Sequence, residues 1–240
     1  MLKIAGTQLI PGSFNVFLIK RGKERFLVDT GNGALFPERL GQLPLSLKKA
    51  GTAPEDIGKI FLTHLHGDHI GGLVKDGTPA FPKARVYVAK AEYDYWTDEQ
   101  AMRQAPENRR GLFTLVRDML RVLEQNKLLV LFTPGEGTSS DITSVALYGH
   151  TPGHTGFLLA SQGKKLLFIG DLLHGAALQF SRPDITVDFD VDQPMAKETR
   201  LRAFKQLAED ATPIAAAHLP FPGIGLIRPD GAGYKLEELK

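Results

Sequence analysis

The sequence has no cysteine among its 240 residues. This absence excludes a disulfide framework, a thiolate metal site and a cysteine nucleophile, so a bound metal ion must be held by histidine and carboxylate side chains. The sequence also lacks a strong charge of either sign, since 29 Lys and Arg residues stand against 27 Asp and Glu residues. We therefore expect no binding to nucleic acid.

The N-terminal segment lacks the features of a secretory signal or a membrane-spanning helix. Pro11, Gly12 and Asn15 interrupt it before a sustained apolar run can develop. The sequence thus predicts no membrane association and, by default, a cytoplasmic location. Hydrophobic residues make up 42% and charged residues 23% of the chain, which is typical of a folded globular protein.

Short β-branched and aromatic segments alternate with helix-like segments, which predicts a mixed α/β protein. Strands are predicted over residues 14–19, 25–28, 59–63, 85–89, 128–132, 142–148, 157–160 and 165–169. Helices are predicted over residues 37–49, 70–74, 91–96, 106–124 and 196–209. Twice a strand leads into a loop rich in glycine and histidine, at 63–72 and at 149–156. This recurrence predicts a single domain over residues 1–240 with two related halves that meet near 130–140.

The densest cluster of metal-ligating residue types lies in the first of these loops. His64 and His66 are two positions apart at the end of an extended run. Their imidazoles therefore leave the backbone on one side and can bind one ion together. Gly67 then allows a sharp turn. Asp68 and His69 fall at the start of a predicted helix, where they are directed at a second position nearby.

Three further polar residues follow buried-looking strands later in the chain. They are His150, Asp171 and His218. Functional groups often gather at strand ends in layered α/β proteins. With these residues the ligand set of two metal ions is complete. The predicted ligands are His64, His66 and His150 for one ion, Asp68, His69 and His218 for the other, and Asp171 between them.

These motifs resemble those of the metallo-β-lactamase-fold hydrolases. The resemblance rests on the H-x-H-x-D-H run, the G-H-T-P-G-H loop at 149–154, the Gly-Asp pair at 170–171, the late His218, and Val28-Asp29-Thr30-Gly31. It implies an α/β fold of the four-layer αββα sandwich type, the same ligand assignment, and a role for Asp29 as a buried support of the metal loops. Zinc is the expected ion, and manganese, cobalt or iron fits the same ligands.

Other segments resemble the methyl parathion hydrolase branch of this family, which is similar to the acyl-homoserine lactone lactonases. These segments are Pro79–Pro82, Lys90–Trp96 and Ala217–Gly223. Those lactonases carry a tyrosine three residues after the bridging aspartate, where this chain has His174. The branch also implies a homodimer.

The predicted activity is hydrolysis of a small-molecule ester, lactone or phosphotriester. Two divalent ions that share a water lower its pKa toward neutral, so that a bridging hydroxide can attack the substrate. Asp68 is predicted to carry the proton and His174 to donate a hydrogen bond to the substrate. The predicted walls of the substrate pocket are Phe81, Trp96, Phe180 and Phe221.

Two alternatives to this general hydrolase remain open. The first is a lactonase that acts on acyl-homoserine lactones or other lactones. The second is a metal-binding or sensory protein that keeps the fold and the ion but has no catalytic turnover. A complete ligand set favours an enzyme over the second alternative, because a structural site needs only four ligands for one ion.

Overall fold

The computed structural model describes residues 12–35, 40–135, 137–139 and 142–239. The chain divides into two compact units. The N-terminal unit is Val16–Thr133, and the C-terminal unit is Pro134–Lys240 together with the described residues before Val16. Each unit contains one main β-sheet and a hydrophobic core of its own. The prediction of a single domain stays a prediction.

The main sheet of the N-terminal unit has five strands. The strands of this unit are β1 (Phe17–Arg21), β2 (Glu24–Val28), β3 (Lys59–Phe61), β4 (Val74–Lys75), β5 (Thr78–Pro79), β6 (Arg85–Ala89) and β7 (Leu129–Phe132). The main sheet has the order β1-β2-β3-β6-β7, and β4 pairs with β5 in a separate ribbon. β1 and β2 form an antiparallel hairpin, whereas β2, β3, β6 and β7 run parallel. The carboxyl ends of the parallel strands therefore lie at one edge of this sheet.

Five helices connect these strands in the described part of this unit. They are α1 (Leu43–Lys49), α2 (Gly67–Ile70), α3 (Lys90–Thr97), α4 (Glu99–Gln104) and α5 (Glu107–Gln125), with a 3-10 turn at Pro54–Asp56. The longest, α5, buries one apolar stripe at helical spacing. Its buried residues are Phe113, Val116, Met119, Leu120 and Leu123. None of the helices that the structure describes is both long and apolar enough to cross a membrane.

The sheet of the C-terminal unit has seven strands. They are β8 (Gly137–Ser139), β9 (Ile142–Ala146), β10 (Thr155–Ser161), β11 (Lys164–Gly170), β12 (Ile214–Ala216), β13 (Ile224–Asp230) and β14 (Gly233–Glu238). Their order is β14-β13-β12-β11-β10-β9-β8, in which only β11 and β12 are parallel. The unit also contains α6 (Ala176–Gln179) and α7 (Gln193–Asp210), and α7 contributes Phe204 and Leu207 to the core.

Most predicted strands and helices overlap these elements, although the strand predicted over 14–19 begins only at Phe17. The helix predicted over 70–74 is wrong, because α2 begins at Gly67 and ends at Ile70. The helix is followed by Gly71 and Gly72, and glycine is among the poorest helix formers. The helix predicted over 37–49 begins only at Leu43, and residues 37–39 of that prediction lie outside the described residues.

Candidate metal centre

The first histidine cluster lies between β3 and α2 in the N-terminal unit. His64 and His66 are in the connecting loop, while Asp68 and His69 belong to the short helix α2, as predicted for these two residues. The Nε2 atom of His64 is 3.0 Å from Nδ1 of His66. The Nε2 atom of His69 is 3.5 Å from a carboxylate oxygen of Asp68. Nitrogen and carboxylate donors at this spacing fit zinc or a similar divalent ion.

Asp29 supports this cluster from the end of β2. Its carboxylate is buried and accepts hydrogen bonds from the Thr63 N–H at 2.8 Å, the Thr63 hydroxyl at 2.9 Å and His69 Nδ1 at 2.8 Å. Because the Thr63 hydroxyl donates to Asp29, its oxygen accepts from His64 Nδ1 at 3.1 Å. One carboxylate therefore sets the tautomers of His64 and His69 and directs the lone pair of each Nε2 away from Asp29. The predicted supporting role of Asp29 is confirmed.

Glycines allow the loop that carries Asp29 to approach α2 closely. Gly33 has a φ of +54°, and a Cβ atom there would lie 1.9 Å from the carbonyl oxygen of Gly71. A Cβ atom on Gly72 would lie 2.4 Å from the carbonyl oxygen of Thr30. Side chains at these positions would push the two loops apart, so this close approach requires glycine.

A second buried carboxylate, Glu92 of α3, braces the same loop. Its Oε1 atom accepts the N–H of Leu65 at 3.0 Å and the indole N–H of Trp96 at 2.7 Å. Leu65 lies between the two loop histidines, so Glu92 fixes the backbone that presents them. Sequence reasoning missed this residue. Its spacing of four from Trp96 on a predicted helix was the available signal.

The second histidine cluster surrounds Asp171 in the C-terminal unit. Asp171 follows β11, His150 lies in the loop after β9, and His218 follows β12. The Oδ2 atom of Asp171 is 2.9 Å from Nε2 of His218, 3.0 Å from Nε2 of His174 and 3.3 Å from Nε2 of His150. Three imidazoles thus converge on one buried carboxylate oxygen. This donor set also fits a divalent metal ion.

The other ring nitrogen of each predicted ligand in this cluster bonds to the protein. Nδ1 of His150 donates to Oδ1 of Asp190 at 2.8 Å, and Nδ1 of His218 donates to the carbonyl oxygen of Ser13 at 2.9 Å. Both rings therefore present Nε2 to Asp171. Asp190 was not predicted, because it lies in an acidic segment where nothing in the sequence distinguishes one aspartate from its neighbours.

His154 is a structural residue of the 149–156 loop. Its Nδ1 atom donates to the carbonyl oxygen of Leu147 at 2.8 Å, and its Nε2 atom accepts the backbone N–H of Asp171 at 3.0 Å. Both ring nitrogens are used within the loop region. His154 therefore holds the backbone of Asp171 in place.

Burial and neighbouring carboxylates shift the pKa values of two histidines in opposite directions. Burial lowers the pKa of His150, but the hydrogen bonds to Asp171 and Asp190 outweigh it and raise that pKa to about 9. Burial dominates at His174 and lowers its pKa to about 4 despite the attraction of Asp171. His174 is thus neutral at pH 7 in the metal-free protein. Its Nε2–H donates to Asp171, while its buried Nδ1 has no hydrogen-bond partner in the described part of the chain.

The four predicted pocket residues lie in different surroundings. Phe81 and Phe180 are members of the two hydrophobic cores. Trp96 is also buried, with its ring centroid 5.6 Å from that of His66. Phe221 is 87% exposed. Contact of these side chains with a substrate stays a prediction.

Comparison with known proteins places the chain in a family. The model of the Metallo-beta-lactamase superfamily matches residues 9–218. The crystal structure of AbOPH, a hydrolase of the beta lactamase superfamily, has a TM-score of 0.90 at 34% identity and covers 95% of this chain and 80% of that one. AidC, a dizinc quorum-quenching lactonase in complex with the product N-hexanoyl-L-homoserine, has a TM-score of 0.89 at 31% identity, with the same coverage. A hydroxyacylglutathione hydrolase of Tolumonas auensis is 28% identical over 66% of this chain and 46% of its own length.

This chain therefore belongs to the metallo-β-lactamase superfamily. Its mixed α/β fold is that of the family, which confirms the predicted fold class. The fold is shared with metal-dependent hydrolases, lactonases among them. Each unit carries a cluster of histidine and aspartate side chains suited to binding a metal ion.

Proposed function

We propose that this chain is a binuclear metal hydrolase, similar to methyl parathion hydrolase, that cleaves an ester, a lactone or a phosphotriester. The observation that carries the proposal is the convergence of two proposed ligands, His150 and His218, on Oδ2 of Asp171 through their Nε2 atoms. Burying a carboxylate among imidazoles is costly unless the groups are paired or bind a metal ion. Membership of a metal-hydrolase superfamily favours metal binding.

The proposed ligands come from both clusters. His64, His66 and His150 would hold one ion, Asp68, His69 and His218 would hold the other, and Asp171 would be available to both. Two divalent ions held in this way would lower the pKa of a water molecule toward neutral and polarise the substrate oxygen. Zinc is the proposed ion because imidazole and carboxylate suit it, and because AidC is a dizinc protein.

Two residues of the chain have proposed roles beside the ions. The side chain of Asp68 is 20% exposed, whereas that of Asp171 is 2% exposed, so Asp68 is the more accessible carboxylate of the two. We assign the proton transfer to Asp68 on this ground. His174 stacks on His218 with ring centroids 5.0 Å apart. We assign to His174 a hydrogen bond to the substrate beside that ligand.

Removal of the metal tests the proposed function. Dialysis against a chelator should abolish hydrolysis of an aryl ester, a lactone and a paraoxon-like phosphotriester, and added zinc should restore it. Elemental analysis of the active protein should give two ions per chain. Hydrolysis that persists after complete removal of metal would contradict the proposal. A metal-loaded protein that hydrolyses none of the three substrates would favour the metal-binding or sensory alternative.

Substitution of the shared ligand provides a matched pair of variants. Asp171→Asn should weaken the binding of both ions, because this carboxylate is their common ligand. Asp230→Asn alters an exposed aspartate near Lys235 and should change neither metal content nor turnover. Equal metal content in Asp171→Asn and in the unsubstituted protein would rule out the bridging role.

A lactonase is the second candidate function. It is favoured by the likeness to AidC, which covers 95% of this chain at 31% identity. Measuring kcat/KM for N-hexanoyl-homoserine lactone and a paraoxon-like substrate in parallel distinguishes the two. A lactone preference of about 100-fold, or about 2.7 kcal/mol in transition-state stabilisation, would support the lactonase. The opposite preference would support the phosphotriesterase.

A further inference from the structure

Asp190 is a buried carboxylate directly behind His150 in the C-terminal unit. Its Oδ1 atom accepts Nδ1–H of His150 at 2.8 Å, and its Oδ2 atom accepts the N–H of Val187 at 3.1 Å. None of its side chain is exposed to solvent. A carboxylate so deeply buried needs a compensating positive charge or several hydrogen bonds.

Arg200 of α7 supplies the positive charge. Its Nη2 atom is 3.7 Å from Oδ2 of Asp190, and the residue is 1% exposed. Its Nε atom donates to the carbonyl oxygen of Leu172 at 2.6 Å, and Nη1 donates to that of Pro183 at 3.1 Å. A guanidinium stays protonated, so it favours an ionised Asp190 that can only accept hydrogen bonds. The same side chain holds the residue that follows Asp171.

Backbone hydrogen bonds hold the segment of Asp190 beside the loop of His150. The N–H of Val191 donates to the carbonyl oxygen of His150 at 2.9 Å, and the N–H of Asp192 donates to that of Gly149 at 3.0 Å. A Cβ atom on Gly149 would lie 2.2 Å from the backbone nitrogen of Ala196, so this approach to α7 requires glycine. The contact between the two side chains is therefore built into the packing of α7 against the loop.

We infer that Asp190 is a positioning residue, anchored by Arg200, that holds His150 as the Nδ1–H tautomer so that Nε2 is available to a metal ion. The inference rests on the proposed function, in which His150 is a metal ligand. A carboxylate behind a ligating histidine fixes its orientation and makes it a stronger donor. Nδ1 of His218 donates instead to a neutral acceptor, the carbonyl oxygen of Ser13, so the two ligands of this unit are supported differently.

Two other aspartates of the same segment have different partners. Asp184 is paired with Arg182 at 2.8 Å, and Asp192 caps α7 by accepting the N–H of Met195 at 2.9 Å. Asp184→Asn is therefore a matched control, because it removes a carboxylate from the same segment without touching His150.

Asp190→Asn tests the inference with little change in size. An asparagine oxygen can face His150 only if its NH₂ group faces the N–H of Val187 and the guanidinium of Arg200. The reverse orientation places NH₂ against Nδ1 of His150 and forces the proton to Nε2, the atom that must bind the metal ion. The first orientation sets donor groups against one another, and the second puts a proton on the ligating nitrogen. Either arrangement therefore weakens the metal site.

The readout is zinc affinity, measured by competition with a chromophoric chelator. In Asp190→Asn one of the two zinc-binding steps should weaken by about 10- to 100-fold. The other step should stay within about threefold, and Asp184→Asn should match the unsubstituted protein in both. Unchanged affinities in Asp190→Asn, or equal losses in both steps, would overturn the inference. Failure of the unsubstituted protein to bind zinc would instead overturn the proposed function.

A second measurement requires no variant. In the zinc-loaded protein with ¹⁵N-labelled histidine, Nδ1 of His150 should carry a proton that resonates downfield of the amides and exchanges slowly with water. Its assignment follows from through-space contacts to residues 187–191. An unprotonated Nδ1 at His150 would overturn the inference even if Asp190→Asn failed to fold.

Discussion

The Oδ2 atom of Asp29 lies 2.8 Å from Nδ1 of His69, a residue 40 positions later in the chain. Both side chains are buried, and Asp29 has a φ of 60°, a conformation that aspartate and asparagine tolerate better than alanine. The bond links the end of β2 to α2. The stability of the loop that carries His64 and His66 therefore depends on a carboxylate outside the 64–69 motif.

Replacement of Asp29 should destabilise the metal-free protein. Asp29→Ala leaves the Thr63 N–H, the Thr63 hydroxyl and His69 Nδ1 without their acceptor, and we expect a loss of about 3 to 5 kcal/mol in the free energy of unfolding. Asp29→Asn keeps one oxygen and the backbone conformation, so its loss should be smaller. Urea unfolding measures both, and equal stability of Asp29→Ala and the unsubstituted protein would refute the role.

Glu92 should contribute to stability in the same way. Glu92→Ala leaves the N–H groups of Leu65 and Trp96 buried without their acceptor, at an expected cost of about 2 to 4 kcal/mol. Glu92→Gln keeps an oxygen for both and should lose less than half as much. The comparison uses thermal unfolding of the metal-free proteins. A larger loss in Glu92→Gln than in Glu92→Ala would contradict the assigned contacts.

Gly33 should tolerate no side chain, although another glycine with the same backbone conformation should. Gly33 has a φ of +54° and Gly22 a φ of +55°, but only a Cβ atom at Gly33 would meet another atom, the carbonyl oxygen of Gly71. Gly22→Ala should cost about 1 kcal/mol from backbone strain alone. Gly33→Ala should cost about 3 kcal/mol more, because the loops must separate. Similar unfolding midpoints in urea for the two variants would show that the close approach is not required.

His174→Phe should retain the metal ions and lose turnover. His174 is not among the proposed ligands, so two ions per chain should remain by elemental analysis. If its ring contacts the substrate, kcat should fall by about 100-fold on the preferred substrate. A variant with normal kcat would exclude the catalytic role, and one that has lost an ion would make His174 a ligand.

The stability of the metal-free protein should fall as the solution becomes alkaline. The pKa of His150 is about 9 in the folded protein, above its ordinary value of 6.5. The protonated ring therefore stabilises the fold fully below pH 6.5, and this contribution is lost as the pH rises through 9. Urea unfolding at pH 6, 7.5 and 9.5 should show the decline, and His150→Gln should show less of it. An equal decline in both proteins would assign it to other groups.

Local sequence was enough to predict the metal-ligand types and most elements of secondary structure. The alternation of His64 and His66 after an apolar run, and the apolar stripe of α5, depend on residues close together in the chain. The same is true of Asp68 and His69 at the start of α2. Because spacing along the chain encodes these features, the sequence is sufficient to predict them.

Partners distant in sequence could not be predicted in this way. The acidic segment around Asp190 contains several aspartates that the local sequence does not distinguish. Only the packing of α7 places one of them against His150 and Arg200. Glu92 acquires its role because α3 folds back onto the loop at Leu65.

The amino-acid sequence alone determined which side chains are available to bind metal and, through the absence of cysteine, which are not. Tertiary structure decided which buried carboxylates support those ligands and which nitrogen of each ring is protonated. The physical reason is that a side chain's chemistry is fixed by its type, whereas a hydrogen bond depends on distance and direction in the folded chain.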